Sequence, residues 1–122
     1  MPRDAADAIL RVLIIDDSRD DAELAELALR DGGFAVESRV LHRPAQLGPT
    51  LVEFAPHLVL CDLNLPAFSF DGALAVVREH DPALPVVCVT GAPPRVAPAA
   101  DRVVLKYRLD TLPGVVRGLL ER

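Results

Sequence analysis

The stretch ILRVLIIDDS, residues 9–18, decides the fold, because an apolar run ends abruptly in two acids. Apart from Arg11, residues 9–15 are aliphatic and mostly β-branched. A short apolar run of this kind, bounded by charge, predicts a strand that is buried on both faces of a parallel sheet. Asp16 and Asp17 then lie at the carboxyl end of that strand.

The same pattern of an apolar strand followed by a helical segment recurs along the chain. Such alternation predicts an α/β fold, a doubly wound parallel sheet with helices on both faces. The predicted strands cover residues 9–15, 34–41, 58–61, 85–89 and 102–105, and the predicted helices end at residues 30, 54, 79 and 120. In sheets of this kind, ligands bind beyond the carboxyl ends of the strands.

The first two helices have recognisable start signals. Ser18 or Asp20 can cap the first helix, and the spacing predicts an apolar face of Leu24, Leu27 and Ala28. Prolines mark the second helix, which is expected to begin at residue 44 or, because a proline interrupts it, at residue 49.

Composition narrows the classes of protein that fit. A length of 122 residues, 51 % hydrophobic and 25 % charged, predicts one folded domain over residues 1–122 with no output domain. The net charge of −5 disfavours nucleic acid, since affinity for DNA rests on Lys and Arg that neutralise phosphates.

Nothing in the sequence predicts a membrane protein or a secreted one. No apolar run approaches the roughly 18 residues that span a bilayer, and the polar, acidic start does not match a signal peptide. Cys61 and Cys88 each lie inside an apolar strand, which indicates buried free thiols in a reducing compartment. We therefore expect a cytoplasmic location.

Polar residues follow four of the predicted strands: Asp16 and Asp17, then Asp62, Thr90 and Lys106. In a parallel sheet these residues converge on one edge. Three clustered carboxylates repel one another unless a cation intervenes, and Mg²⁺ prefers oxygen ligands. An Asp carboxylate can attack phosphorus, while a lysine charge and a hydroxyl donor can hold phosphoryl oxygens. The set predicts a phosphoryl acceptor.

Four stretches carry a family resemblance: VLIIDDS at 12–18, LVLCDLNLP at 58–66, PVVCVTG at 85–91 and VLK at 104–106. In their order and spacing the chain resembles the receiver domains of two-component response regulators. The resemblance implies a flavodoxin-like fold of five parallel strands in the order 2-1-3-4-5.

The resemblance also implies roles for individual residues. Asp62 would be the phosphoacceptor. Asp17 and Asp62 would ligate Mg²⁺ directly, together with the backbone carbonyl of Asn64, and Asp16 would act on the metal through water.

The remaining implied roles concern the phosphoryl group and its source. Thr90 and Lys106 would contact the phosphoryl group. The donor would be a phosphohistidine on a sensor histidine kinase or a histidine phosphotransfer protein, and phosphorylation would alter binding to a downstream protein.

The chain departs from the family pattern at several points. The glycine expected shortly after Pro66 comes late, at Gly72, because residues 68–70 intervene. Three prolines between the fourth and fifth strands predict that the family's fourth helix is shortened or absent. Val103 replaces the usual switch aromatic, and Tyr107 stands where the family commonly has proline.

Two other functions stay open at this point. The departures favour a scaffold that has kept the receiver fold but no longer switches. An aspartate-nucleophile phosphatase would carry a second acid two residues after the nucleophile, but that residue is Asn64, which cannot act as a general acid. We therefore expect no enzyme activity.

Overall fold

The computed structural model describes residues 9–67, 69–96 and 98–121. The strands are β1 (Ile9–Ile15), β2 (Ala35–Leu41), β3 (Leu58–Asp62), β4 (Val86–Thr90) and β5 (Arg102–Leu105). The α-helices are α1 (Arg19–Asp31), α2 (Leu47–Phe54), α3 (Phe70–His80) and α4 (Leu112–Leu120), with short 3₁₀ helices at Pro44–Gln46 and Lys106–Thr111.

The five strands form one parallel sheet in the order β2-β1-β3-β4-β5, which confirms the predicted fold class and strand order. β1 lies between β2 and β3, and every residue of β3 and β4 is buried. Continuous apolar runs are required there because helices cover both faces of the central strands.

Two hydrophobic cores lie on opposite faces of the sheet. On one face, α1 and α4 pack against the side chains of β1, β3 and β4 that include Val12, Leu60 and Val87. On the other face, α2 and α3 pack against the alternate side chains, including Leu13 and Cys88. Successive residues of a strand therefore serve different cores, as the twofold alternation of strand side chains requires.

The predicted apolar face of α1 is wrong. Leu24 and Leu27 are each 52 % exposed, whereas Ala22, Ala25 and Leu29 are the buried residues of this helix. The spacing of the buried set, three and then four residues, is as regular as that of the predicted set. Spacing alone therefore does not choose between the two faces, and the packing of α1 on the sheet buries the face of Ala22, Ala25 and Leu29.

The prolines of the second helix are accommodated differently from either expectation. Pro44 opens a 3₁₀ turn, and α2 begins at Leu47, so that Pro49 is its third residue. The first four backbone N–H groups of a helix have no partner within the helix, so a proline in this turn removes no hydrogen bond. The last helix, expected over residues 110–120, begins two residues later at Leu112, because residues 106–111 form a 3₁₀ segment ahead of α4.

The connection between β4 and β5 contains no helix in its described residues, 91–96 and 98–101, in agreement with the prediction for this segment. Its far end is fixed by Asp101, whose Oδ2 accepts hydrogen bonds from the backbone N–H of Val86 at 2.8 Å and from Arg78 at 3.1 Å. The same arginine donates to the carbonyl of Leu84 at 2.8 Å. Arg78 thus ties α3 to the segment before β4 and to the residue before β5.

The lengthened loop after Pro66 leads directly into α3. Ser69 caps that helix by accepting a hydrogen bond from the N–H of Gly72 at 3.2 Å, and Phe70 is buried at its first position. Phe68 lies outside the described residues. The described helices include none that is long and apolar enough to cross a membrane.

Candidate functional site

The centre of the site is formed by Asp16 and Asp62 at the ends of two neighbouring strands. Ile15 of β1 pairs with Cys61 of β3, so the residues that follow, Asp16 and Asp62, emerge side by side. Both are largely buried, at 5 % and 7 % exposure. The strand pairing therefore places two carboxylates together at the carboxyl edge of the sheet, as the sequence predicted.

A compact turn after β1 places the acids that follow it. Oδ1 of Asp16 accepts a hydrogen bond from the N–H of Ser18 at 2.9 Å. The hydroxyl of Ser18 in turn caps α1 by accepting from the N–H of Asp21 at 3.2 Å. Within this turn Asp17 is exposed to solvent. One short segment thus orients Asp16 and starts the helix that carries Asp21.

Asp16, Asp17 and Asp62 form a cluster of acids that could hold a metal ion. Each can offer a carboxylate oxygen, and these oxygens lie within 4.8 Å of one another. Hard oxygen donors on one exposed and two buried side chains suit a divalent cation such as Mg²⁺, which keeps part of its water shell. The backbone N–H of Asn64 donates to Oδ1 of Asp62 at 3.0 Å and holds that carboxylate in place.

Lys106 reaches three carboxylates from the end of β5. Its Nζ lies 2.8 Å from Oδ2 of Asp62, 2.8 Å from Oδ2 of Asp21 and 3.1 Å from Oδ2 of Asp16. β4 separates β5 from β3 in the sheet, so the long lysine side chain has to extend across the end of β4. The ammonium is thereby placed directly against the predicted phosphoacceptor.

Charge and burial shift the pKa values of two of these groups. Burial alone would lower the pKa of Lys106, but its hydrogen bonds to Asp21, Asp62 and Asp16 outweigh that effect and raise it. Burial also raises the pKa of Asp16, although the N–H of Ser18 and the charge of Lys106 oppose the shift. The lysine is therefore charged at any physiological pH.

Thr90 lies at the same edge, but its hydroxyl points to the residues that directly follow β4. It is fully buried, and its hydroxyl donates a hydrogen bond to the carbonyl of Ala92 at 3.2 Å. The neighbouring cysteines are also buried, at 2 % for Cys61 and 0 % for Cys88, as expected for core thiols. Burial raises the pKa of Cys61 to about 12 and that of Cys88 to about 11.

Asp21 is the residue of this site that the sequence analysis missed. Asp21 was given no role from the sequence; in the structure it lies in the first turn of α1, where acids are favoured by the helix dipole. A signal was nevertheless present, because the helix that follows β1 must begin at the same edge where β1 ends. An acid four residues after Asp17 therefore lies within reach of the side chains at that edge.

Comparisons of sequence agree with this architecture. No family model matches the chain. Over 77 residues, 62 % of the chain, it is 42 % identical to a response regulator receiver protein of Anaeromyxobacter sp. (strain Fw109-5). Over 119 residues, 92 % of the chain, it is 30 % identical to the DNA-binding response regulator MtrA of Mycolicibacterium smegmatis. The matched regions span only 30 % and 51 % of these two relatives.

Comparison with solved structures leads to the same family. A crystal structure described as that of a response regulator from Chloroflexus aurantiacus superposes with a TM-score of 0.82 at 25 % identity. The superposition covers 94 % of this chain and 100 % of that one. Together with the strand order and the acids at the strand ends, these likenesses identify the chain as a receiver domain of the response regulator family.

Proposed function

We propose that the chain is a phosphorylation-controlled signalling receiver in which Asp62 accepts a phosphoryl group in the presence of Mg²⁺. The observation that carries this proposal is the position of the Asp62 carboxylate, which lies at once in the three-acid cluster and 2.8 Å from the Lys106 ammonium. A nucleophilic carboxylate needs both a cation-binding cluster beside it and a fixed positive charge for the incoming phosphoryl oxygens.

In the proposed reaction an oxygen of Asp62 forms a bond to phosphorus while the bond from phosphorus to the donor's imidazole nitrogen breaks. The departing imidazole keeps the electron pair of that bond and takes a proton from water. Asn64 orients the carboxylate through its backbone N–H. Lys106 holds a phosphoryl oxygen as a point charge. The Thr90 hydroxyl supplies a further donor after it leaves the carbonyl of Ala92.

Asp16, Asp17 and Asp62 would hold the metal, with the backbone carbonyl of Asn64 as a further ligand. When bound, Mg²⁺ supplies positive charge that offsets the charge of the phosphoryl oxygens and of the acids themselves. Without a cation, the acids are compensated by one lysine within the described residues of the site. That imbalance of charge supports a divalent cation at this place.

We further propose that the donor is a phosphohistidine on a sensor histidine kinase or a histidine phosphotransfer protein, and that phosphorylation alters binding to a protein target. A cytoplasmic location would suit both partners. The net charge of −5 gives no reason to propose nucleic acid or a membrane surface as a partner of this domain. The chain spans about half or less of its curated relatives, so any activity of a whole protein lies beyond this proposal.

The direct test is to incubate the purified chain with Mg²⁺ and acetyl phosphate and to record its intact mass. One added phosphoryl group is expected, and Asp62→Asn or a chelator should abolish the gain. As a matched control, Asp71→Asn removes an exposed acid from α3 and should leave the gain unchanged. A gain that survives in Asp62→Asn would show that the acceptor is another residue.

A second candidate is a receiver-like scaffold that does not switch. Two features favour it. The connection between β4 and β5 forms no helix in its described residues, and Val103 of β5 is 38 % exposed where the family's switch aromatic would be. Hydrogen exchange of the phosphorylated and unphosphorylated chain separates the two candidates. A switching receiver should change protection in residues 91–105, whereas a scaffold should show no change there.

We do not propose an enzyme. An aspartate-nucleophile phosphatase needs a general acid beside its nucleophile, and the residue two positions after Asp62 is Asn64, which meets Asp62 through its backbone N–H. Turnover of a phosphate ester by the purified chain, lost in Asp62→Asn, would contradict this reading.

A further inference from the structure

Asp21 makes a contact that the proposed acceptor chemistry does not require. The acceptor, the metal ligands and Lys106 are accounted for without it, yet its carboxylate lies as close to the Lys106 ammonium as that of Asp62 does, at 2.8 Å. The Asp21 side chain is 38 % exposed, compared with 6 % and 8 % for Asp16 and Asp62. It thus offers the lysine an outer partner at the surface of the site.

The hydrogen-bonding capacity of Lys106 explains why an outer partner matters. An ammonium group has three N–H donors, and three carboxylates surround this one. Two of the three, Asp16 and Asp62, also belong to the three-acid cluster, whereas Asp21 does not. Lysine and a divalent cation therefore compete for oxygens of the same two buried acids.

Removal of Asp21 would strengthen this competition. An ammonium that loses its outer partner directs its donors to Asp16 and Asp62, and the negative potential of the site falls by one charge at the same time. Both changes weaken the binding of a cation, the first through occupied ligand atoms and the second through Coulomb attraction. Both effects of Asp21, on the lysine and on the potential of the site, therefore favour the binding of a cation.

We propose, on the basis of the function proposed above, that Asp21 is a positioning residue for Lys106. It draws the ammonium towards the first turn of α1, so that Asp16 and Asp62 keep oxygens available for Mg²⁺. The cap from Ser18 fixes the backbone N–H of Asp21, so the carboxylate starts from a rigid point of the fold.

The test is a titration of the unphosphorylated full chain with Mg²⁺, followed by nuclear magnetic resonance. Asp21→Asn should raise the dissociation constant about three- to tenfold, the range expected for loss of one partly exposed ion pair. Asp20→Asn is the matched control, because Asp20 is an exposed acid in the same helical turn with no hydrogen bond or ion pair among the described contacts. It should change the constant less than about twofold.

Two further variants separate positioning from simple loss of charge. Asp21→Glu should restore most of the affinity, because it returns a carboxylate to the lysine. In a Lys106→Met background, Asp21→Asn should lose most of its effect, since the ammonium that it positions is gone. Urea unfolding of each variant in chelator shows whether the fold is intact, and the comparison holds among folded variants.

Three results would overturn the proposal. Equal losses in Asp21→Asn and Asp20→Asn would reduce the effect to net charge, and a full loss in the Lys106→Met background would show that Asp21 acts without the lysine. Absence of Mg²⁺ binding by the unaltered chain would defeat the metal site itself and the role of Asp21 with it. The last result is distinguishable from the first two because it appears before any substitution is made.

Discussion

The carboxyl edge of β1 and β3 and the connection between β4 and β5 are built in contrasting ways. At the first, Asp16 and Asp62 are held by backbone N–H groups and share one lysine at 3.1 and 2.8 Å. The second has no helix in its described residues, and Asp101 anchors it through hydrogen bonds with Val86 and Arg78. The carboxyl edge of β1 and β3, or acceptor edge, is therefore held by a defined set of hydrogen bonds and ion pairs, and the described part of the connection is less closely held.

This difference teaches that the acceptor geometry depends on the central strands rather than on a complete ring of helices. The register of β1 against β3 is enough to bring Asp16 and Asp62 together. Nothing in that placement requires a helix after β4. A receiver fold can thus keep the arrangement of acids at this edge while the connection between β4 and β5 diverges.

The largest loss of stability is expected when a buried side chain that packs beneath the acceptor edge is truncated. Leu60 is 1 % exposed and lies two residues before Asp62. Leu60→Ala should lower the free energy of unfolding by about 3 kcal/mol, because it removes buried methyl groups and leaves a cavity. Urea unfolding measures this loss, and Mg²⁺ binding should weaken as well.

The matched substitution in the other region is Val96→Ala. Val96 is 82 % exposed in the connection between β4 and β5, so the same kind of truncation should cost less than about 0.5 kcal/mol. A loss at Val96 that approaches the loss at Leu60 would mean that the connection packs against the domain in solution, and the contrast drawn here would fail.

The next largest effect is expected at Lys106. In chelator, Lys106→Met should lower the free energy of unfolding by about 2 kcal/mol, because the buried carboxylates of Asp16 and Asp62 lose their compensating charge. The control is Arg108→Met, which breaks an exposed ion pair with Asp110 and should cost about 0.5 kcal/mol or less. Urea unfolding at low salt compares the stabilities of the two variants. If Lys106→Met were more stable than the unaltered chain, the cost of burying the ammonium would exceed the stabilisation from its ion pairs.

A smaller effect is expected where the connection is anchored. Asp101→Ala removes the acceptor for the N–H of Val86 and the partner of Arg78, and should cost about 1 kcal/mol. Hydrogen exchange should accelerate at Val86 and across residues 98–101 while the acceptor edge stays protected. Asp101→Asn keeps a carbonyl oxygen that can accept from the N–H of Val86. Its free energy of unfolding should therefore lie between that of the unaltered chain and that of Asp101→Ala. Uniform loss of protection would indicate that both regions unfold as one unit.

The sequence specified the acceptor edge well for a physical reason. Apolar runs that stop at Asp16, Asp62 and Lys106 determine both the strands and the residues at their ends, and parallel pairing brings those ends together. Strand order followed from the family resemblance, since alternation alone is compatible with several orders.

The features that the sequence did not specify depend on packing between elements. Leu24 and Leu27 had the right spacing for a buried face, but the structure buries Ala22 and Ala25 instead, and spacing alone does not distinguish the two faces. The contact between Lys106 and Asp21 joins residues 85 positions apart. The start of α1 at the end of β1 places Asp21 near that edge, but the pairing with Lys106 depends on the packing of both elements on the sheet.

The smallest effect is expected where β3, which ends at the acceptor edge, pairs with β4, which leads into the connection. There Cys61 of β3 pairs in register with Cys88 of β4. Burial raises the pKa of both thiols from the ordinary 9.0, to about 12 and about 11. The unfolded chain therefore releases these protons before the folded chain does, and stability falls as the pH rises through 9. Between pH 7 and pH 9 the loss should be about 0.4 kcal/mol for each thiol.

Urea unfolding at the two pH values measures this loss, and a chain that carries both Cys61→Ala and Cys88→Ala is the control. Lys106, the one lysine in the sequence, is not expected to contribute, because its pKa is raised above an ordinary value of 10.5 and its stabilisation is lost only at higher pH. The control should therefore be nearly flat where the unaltered chain declines. Equal declines in stability with pH in the two chains would mean that the thiols ionise alike in the folded and unfolded states. That result requires that water reaches the thiols between β3 and β4. The two regions would then be less firmly joined than their burial indicates.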